Sequence, residues 1–83
     1  MIIAVGDTRV YKFPNSTIAC EVHNGYTEIR VMPERRRFVV RHKTDHMRHL
    51  QESHPHRTYH WIATTIIVND LRNGFIQADE EIP

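Results

Sequence analysis

Apolar and polar residues alternate with a period of two over most of the first half of the chain, a pattern typical of half-buried β-strands. Strands are predicted for a short apolar run at 2–5, for 8–13 and for 37–42. Gly6 and Asp7 form a turn signal between the first two strands. Together with a hairpin at 17–32, these segments predict an antiparallel meander of three to five strands.

The hairpin is predicted because two alternating segments flank Asn24 and Gly25. Asn-Gly is the preferred two-residue type I′ turn, in which both residues need a positive φ. Such a turn fixes the register and places three cross-strand pairs, nearly all apolar, on one face: Val22 with Thr27, Cys20 with Ile29, and Ile18 with Val31. The other face pairs Glu21 with Glu28, a like-charge contact that costs about 0.2–1 kcal/mol and indicates a solvated or partner-facing surface.

The apolar spacing after residue 43 favours helices instead of strands. Thr44 is a candidate cap for a short helix over 45–52. A long C-terminal helix is predicted from Pro55 to Asn73, since proline suits a first turn and Asn-Gly suits a helix end. The β-branched run 64–68 suits a strand equally well, so residues 57–73 can be helix or strand. A segment of about 18 residues exceeds ordinary strand length, which favours the helix.

These elements predict an α+β fold: a small antiparallel β-sheet packed against a long C-terminal α-helix, with a short histidine-rich helix or loop between them. We expect one domain from 83 residues, with a sheet part at 1–43, a helical part at 44–76 and a loose acidic tail at 77–83. A domain of this size buries only about 60–65% of its unfolded surface. A homodimer is therefore expected rather than a monomer, because a second copy enlarges a thin core.

Composition narrows the classes of function. Cys20 is the only cysteine, which excludes a disulfide within the chain and is typical of a reducing, cytoplasmic compartment. Neither a signal peptide nor an apolar run of the ~20 residues that span a membrane is visible, so no membrane partner is expected. The net charge of +1 with histidine neutral argues against a protein that grips long stretches of phosphate backbone.

Six of the seven histidines lie between His42 and His60. Histidine titrates near neutral pH and is the commonest metal ligand. Helical spacings of three and four residues place His46 with His49, and His56 with His60, on common helix faces. Two such pairs that converge at the helix junction would suit a structural zinc ion. No paired cysteine and no His-Glu-x-x-His motif accompanies these histidines, so we assign no metal and no cofactor. The alternative to a zinc site is that they are ordinary polar residues around a helical turn.

An arginine-rich segment at 35–41 is the candidate macromolecule-binding site. Guanidinium groups bind phosphates and carboxylates bidentately, and arginine is enriched at protein-binding hot spots. The candidate residues are Arg35, Arg36, Arg37 and Arg41. Acidic residues are interspersed with these arginines, which makes a protein partner preferable to a nucleic acid.

No catalytic residue is predicted. Cys20 lies mid-strand on the predicted core face, where a cysteine behaves as a small inert hydrophobe. The sequence contains no glycine-rich phosphate loop and no nucleophile elbow. We therefore expect a small non-enzymatic accessory protein, typical of phage and mobile-element genes, that binds and inhibits or modulates a host protein. The alternatives are a nucleic-acid-binding regulator that uses the four arginines and a structural zinc-binding domain that uses the clustered histidines.

Overall fold

A computed structural model describes residues 2–5 and 8–83 of the chain. Its strands are β1 (Ile2–Val5), β2 (Thr8–Phe13), β3 (Ser16–His23), β4 (Tyr26–Met32), β5 (Arg36–Arg41) and β6 (Glu80–Ile82). Helix α1 spans Thr44–Ser53, and three segments then follow one another directly: α2 (Tyr59–Trp61), a π-helical turn (Ile62–Ile66) and α3 (Ile67–Arg72). We refer to these three together as the 59–72 helix. The turn predicted at Gly6 and Asp7 lies outside the described residues.

The sheet is a meander in which each of the first five strands pairs antiparallel with the next, and β6 joins the edge of β5. The predicted hairpin register is confirmed, with Cys20 opposite Ile29 and Glu21 opposite Glu28. The turn type is different from the one predicted, because φ is positive only at Gly25, where it is 89°. A positive φ at the second turn residue alone is the type II pattern, and it keeps the same two-residue loop and register.

One face of the sheet packs against the helices and forms the core. Its largest fully buried side chains belong to Ile29 in the sheet and to Ile62 and Ile67 in the 59–72 helix. Helix α1 adds Met47 and Leu50 to this core. The alternate residues of β2 to β6 lie on the opposite side, which we refer to as the reverse face. No helix in the described part of the chain is long and apolar enough to cross a membrane.

The predicted long C-terminal helix is wrong. Helical structure covers 14 residues at 59–72 instead of the stretch from Pro55 to Asn73, and its middle turn is π-helical. The helix begins late because the Thr58 hydroxyl accepts a hydrogen bond from the Trp61 N–H at 3.0 Å. A threonine in this arrangement is an N-cap, so the residues before it lie outside the helix.

The π-helical turn coincides with a hydrogen bond from the sheet. The Ile67 N–H bonds the carbonyls of Ile62 and Thr64. In a regular α-helix it would bond the carbonyl of Ala63. The Thr27 hydroxyl donates to that Ala63 carbonyl instead, at 2.8 Å. A strand residue therefore supplies a donor to the helix carbonyl that the Ile67 N–H does not bond.

Helix α1 confirms the short helix predicted for 45–52, but its predicted cap is wrong. The N-cap residue is Lys43, and no side chain caps the first turn. Thr44 is already the first helical residue, so its backbone is not in the extended conformation that a capping hydroxyl needs. Asp45 lies in the first turn, where a negative charge is favourable next to the helix dipole.

The loose tail predicted for 77–83 is also wrong, because residues 80–82 form β6. Asp79 holds this strand in place. Its backbone N–H donates to the Val39 carbonyl at 2.8 Å, and its carboxylate accepts from the Arg41 N–H at 2.7 Å and from Lys43 Nζ at 3.0 Å. These contacts join residues that are far apart in sequence, so local sequence patterns do not indicate them.

Candidate functional site

The four arginines predicted to bind a macromolecule do not share one surface. Arg35 lies in the β4–β5 turn with a φ of 59°, and Arg36 lies on the core side of β5. Arg37 and Arg41 lie on the reverse face, since side chains alternate along a strand. The sequence cluster is therefore divided between two sides of the sheet.

Carboxylates within the chain already pair with three of these four guanidinium groups. Two N–H groups of Arg36 donate to Glu81, at 2.9 and 2.7 Å, and hold β5 to β6. Arg37 Nη2 donates to Glu28 Oε1 at 2.6 Å, and this contact lowers the pKa of the Glu28 carboxyl. Arg41 Nη2 lies 3.6 Å from Glu80 Oε2. These pairs reduce the positive potential at 35–41 and disfavour the nucleic-acid alternative.

The clustered histidines do not meet around a common centre. His49 and His56 are exposed, and the His54 imidazole Nδ1 donates to the Leu50 carbonyl at 2.9 Å at the end of α1. Over residues 8–83, one group of three potential metal ligands has donor atoms within 4.8 Å of one another, and it lies on the β3–β4 hairpin. The two histidine pairs His46/His49 and His56/His60 do not converge at the helix junction in this part of the chain, so the zinc alternative has no ligand set there.

His42 links the sheet to the 59–72 helix through a directional chain of hydrogen bonds. The Thr27 hydroxyl donates to the Ala63 carbonyl and therefore accepts from His42 Nε2 at 2.6 Å. His42 Nδ1 then accepts from the Tyr59 hydroxyl at 3.0 Å. Both ring nitrogens are used by the neutral imidazole, and burial lowers the pKa of His42 below its usual range. This chain of hydrogen bonds positions the helix on the sheet.

Cys20 is placed as a core residue. Its side chain is 1% exposed, and burial raises the pKa of the thiol to about 11. A thiol with such a pKa carries little thiolate near neutral pH, and the thiolate is the reactive form. The position agrees with the sequence interpretation of Cys20 as a small hydrophobe on the core face of β3.

An apolar groove of about 520 Å³ lies between the end of the 59–72 helix and the core face of the sheet. Its apolar lining comes from β3, β4, β5 and α3: Ile18, Ile29, Val31, Phe38, Val68 and Leu71. Polar and charged residues complete the lining: Asn15, Ser16, Glu34, Arg36 and Arg72. This volume falls in the range of about 300–1,000 Å³ that is typical of ligand sites. We refer to it as the α3 groove.

Two arginines of the α3 groove lie over aromatic rings. The guanidinium carbon of Arg72 is 3.9 Å from the centroid of the Phe13 ring, and that of Arg36 is 4.9 Å from the centroid of the Phe38 ring. Arg36 is paired with Glu81, whereas Arg72 forms no ion pair with a carboxylate among residues 8–83. The groove therefore combines an apolar floor with one guanidinium whose charge is not compensated by a direct contact.

Sequence reasoning missed this groove because it interpreted the apolar lining as core. Val31 and Phe38 are on the predicted core face, and Leu71 is on the apolar face of the predicted helix. The pattern of apolar residues shows which face is buried, but it does not show how far the helix covers the sheet. A shorter helix with a widened turn leaves these three side chains only partly covered.

No protein-family model, curated protein or solved structure matches the chain. A fold alone does not determine function, so the candidate functional features are the side chains of the α3 groove. The relevant properties are the apolar floor, the volume and the uncompensated Arg72.

Proposed function

We propose that this chain is a non-enzymatic binding protein that takes a short segment of another protein into the α3 groove and thereby inhibits or modulates that protein. The observation that carries the proposal is the pairing of an apolar groove with Arg72 at its lining. Apolar side chains that enter such a groove gain free energy by leaving water, at about 25 cal/mol per Å² of buried apolar surface.

The charge at the groove indicates what the partner segment contains. The Arg72 guanidinium keeps its N–H donors available while its face rests on the Phe13 ring. A carboxylate that approaches Arg72 forms a charge-assisted, bidentate hydrogen bond. The expected occupant is therefore a protein segment with one or two bulky apolar side chains next to an aspartate or glutamate.

The arrangement of the other arginines supports a protein partner over a nucleic acid. A phosphate backbone is bound by several cations along one surface. The predicted arginines lie on two sides of the sheet, and carboxylates pair with Arg36, Arg37 and Arg41. Arg72 provides a single cation, which suits one carboxylate in a peptide segment.

The test uses two variants of neighbouring residues on β4 that point to opposite faces. Val31→Lys places an ammonium group in the α3 groove, and Met32→Lys places the same group on the reverse face, where Met32 is 44% exposed. Wild-type and variant chains are used to capture proteins from an extract of the organism that encodes the chain. The captured protein is then purified, and its affinity for each chain is measured.

The proposal predicts one protein that binds wild type and Met32→Lys alike and binds Val31→Lys about tenfold more weakly or worse. Circular dichroism melting of both variants shows whether they remain folded, and Leu71→Lys serves as a second groove variant. Equal binding by Val31→Lys and Met32→Lys contradicts the proposal. Self-association that is lost in Val31→Lys also contradicts it, because the groove is then an interface between two copies of this chain.

A further inference from the structure

Three potential metal ligands come together on the reverse face of the β3–β4 hairpin. Glu21 lies directly opposite Glu28, and His23 lies two residues further along β3 on the same side. The His23 Nε2 atom is 3.5 Å from Glu28 Oε2 and 3.9 Å from Glu21 Oε1. All three donor atoms lie within 4.8 Å of one another.

The His23 Nε2 atom is buried and has no hydrogen-bond partner. The imidazole ring stacks on the Tyr26 ring, with centroids 4.6 Å apart and planes 17° apart. This stacking directs Nε2 toward the two carboxylates. A buried polar atom without a partner costs free energy, so the cluster as it stands leaves one donor or acceptor unused.

One of the three separations already fits a tetrahedral zinc ion. Ligand bonds of about 2.0–2.1 Å place two donors of a tetrahedron about 3.3 Å apart. The separation of His23 from Glu28 is close to this value, and the Glu21 side chain is 41% exposed and free to close the remaining gap. The imidazole nitrogen favours zinc over magnesium or calcium, which prefer oxygen ligands alone.

The neighbouring arginines leave the required atoms free. Arg37 donates to Oε1 of Glu28 from both Nε and Nη2, at 3.2 and 2.6 Å, and Arg30 Nε lies 3.6 Å from the same oxygen. The second oxygen of Glu28, Oε2, is the one that faces His23. A carboxylate oxygen held by an outer hydrogen-bond donor is the usual arrangement around metal-binding carboxylates.

We propose that Glu21, His23 and Glu28 bind one divalent zinc ion, with a fourth coordination position open to water or to a ligand atom of a partner. The ion replaces the like-charge contact of Glu21 with Glu28 by two favourable contacts and gives His23 Nε2 a partner. This site is on the reverse face, so it is separate from the α3 groove. Its existence does not depend on the proposed protein-binding function.

The experiment is a calorimetric titration of tag-free protein with zinc chloride, followed by thermal melting with and without the ion. His23→Gln and Glu21→Gln remove one ligand each. His49→Gln is the matched control, because His49 is an exposed histidine on α1 outside this cluster. Nitrogen chemical shifts of the histidine rings show which imidazole changes when zinc binds.

The proposal predicts one zinc ion per chain, a higher melting temperature with zinc, and a shift of His23 Nε2. Binding should weaken about tenfold or more in both ligand variants and stay unchanged in His49→Gln. Three results overturn it: no heat of binding in wild type, equal binding by His23→Gln, or loss of binding in His49→Gln. The first result means that His23 and the two glutamates form an ordinary ion-pair cluster.

Discussion

The Thr27 hydroxyl donates to the Ala63 carbonyl at 2.8 Å, and this contact joins the centre of the sheet to the π-helical turn of the 59–72 helix. Both residues are fully buried. The same hydroxyl accepts from His42, whose other ring nitrogen accepts from Tyr59. One threonine therefore satisfies a displaced helix carbonyl and fixes the tautomer of a half-buried imidazole.

Thr27→Val should destabilise the protein by about 1–3 kcal/mol, because it keeps the side-chain shape and removes the partner of the buried Ala63 carbonyl and of the half-buried His42 imidazole N–H. Urea-induced unfolding measures the change. Thr44→Val is the control, since Thr44 is exposed, and its effect should stay within about 0.5 kcal/mol. Equal effects of the two variants would show that the Thr27 hydroxyl contributes nothing specific.

Local rules predicted the hairpin and the faces of its strands. The Asn24-Gly25 turn gave the register, and the register gave the core face with Cys20 and Ile29. The same register placed Glu21 opposite Glu28. It also places His23 beside them, because residues two apart in a strand lie on one side. The hairpin register alone therefore brings these three potential ligands together, outside the segment between His42 and His60 that holds the other six histidines.

Apart from the local cap at Thr58, the features that the sequence did not predict depend on contacts between distant residues. The 59–72 helix starts at a threonine cap and widens where Thr27 binds Ala63. Strand β6 is held by the carboxylate of Asp79. The α3 groove exists because the helix covers only part of the core face, and apolar periodicity does not measure that coverage.

Stability should fall as the pH drops below about 6.5, the pKa of a histidine in an unfolded chain. The folded-state pKa of His42 is lowered by burial, so the unfolded chain binds more protons in this window and acid favours unfolding. The stabilisation from neutral His42 is complete above the pKa that this residue has in the unfolded chain. It is lost as the pH falls through the lower pKa that His42 has in the folded protein. Urea unfolding at pH values from 5 to 8 measures the slope of the unfolding free energy against pH.

His42→Gln should reduce this pH dependence, because the variant has no titrating group at that position. His49→Gln is the control, since His49 is exposed on α1 and lies outside the Thr27 hydrogen-bond chain. If His42→Gln keeps the full pH dependence of stability and His49→Gln loses it, the group responsible for that dependence is not His42.

Asp79→Ala should release β6 from the edge of the sheet. It removes the acceptor for the Arg41 N–H and for Lys43 Nζ, at a cost of about 1–2 kcal/mol. The amides of β6 and of Arg41 should then exchange with deuterium about 5–30 times faster. Glu80→Ala is the control, because its exposed contact with Arg41 at 3.6 Å contributes less than about 1 kcal/mol. Unchanged exchange in Asp79→Ala would mean that other contacts hold β6.

Cys20 should resist thiol reagents in the folded protein. Its side chain is 1% exposed and its pKa is raised to about 11, so both access and thiolate content are low. Labelling at pH 8 should be slower than that of a free cysteine by about 100-fold or more and should become complete in denaturant. Labelling at the rate of a free cysteine would show that the core around β3 opens readily.

The most direct test of the α3 groove is site-specific photo-crosslinking inside the cell that encodes the chain. A benzophenone amino acid replaces Leu71, in the groove, or Gln51, exposed on α1. Irradiation should give one discrete adduct with another protein from position 71 only, and Arg72→Glu should reduce its yield, because the variant repels the expected carboxylate. An adduct with a second copy of this chain, or equal adducts from positions 71 and 51, would contradict recognition of a partner protein in the α3 groove.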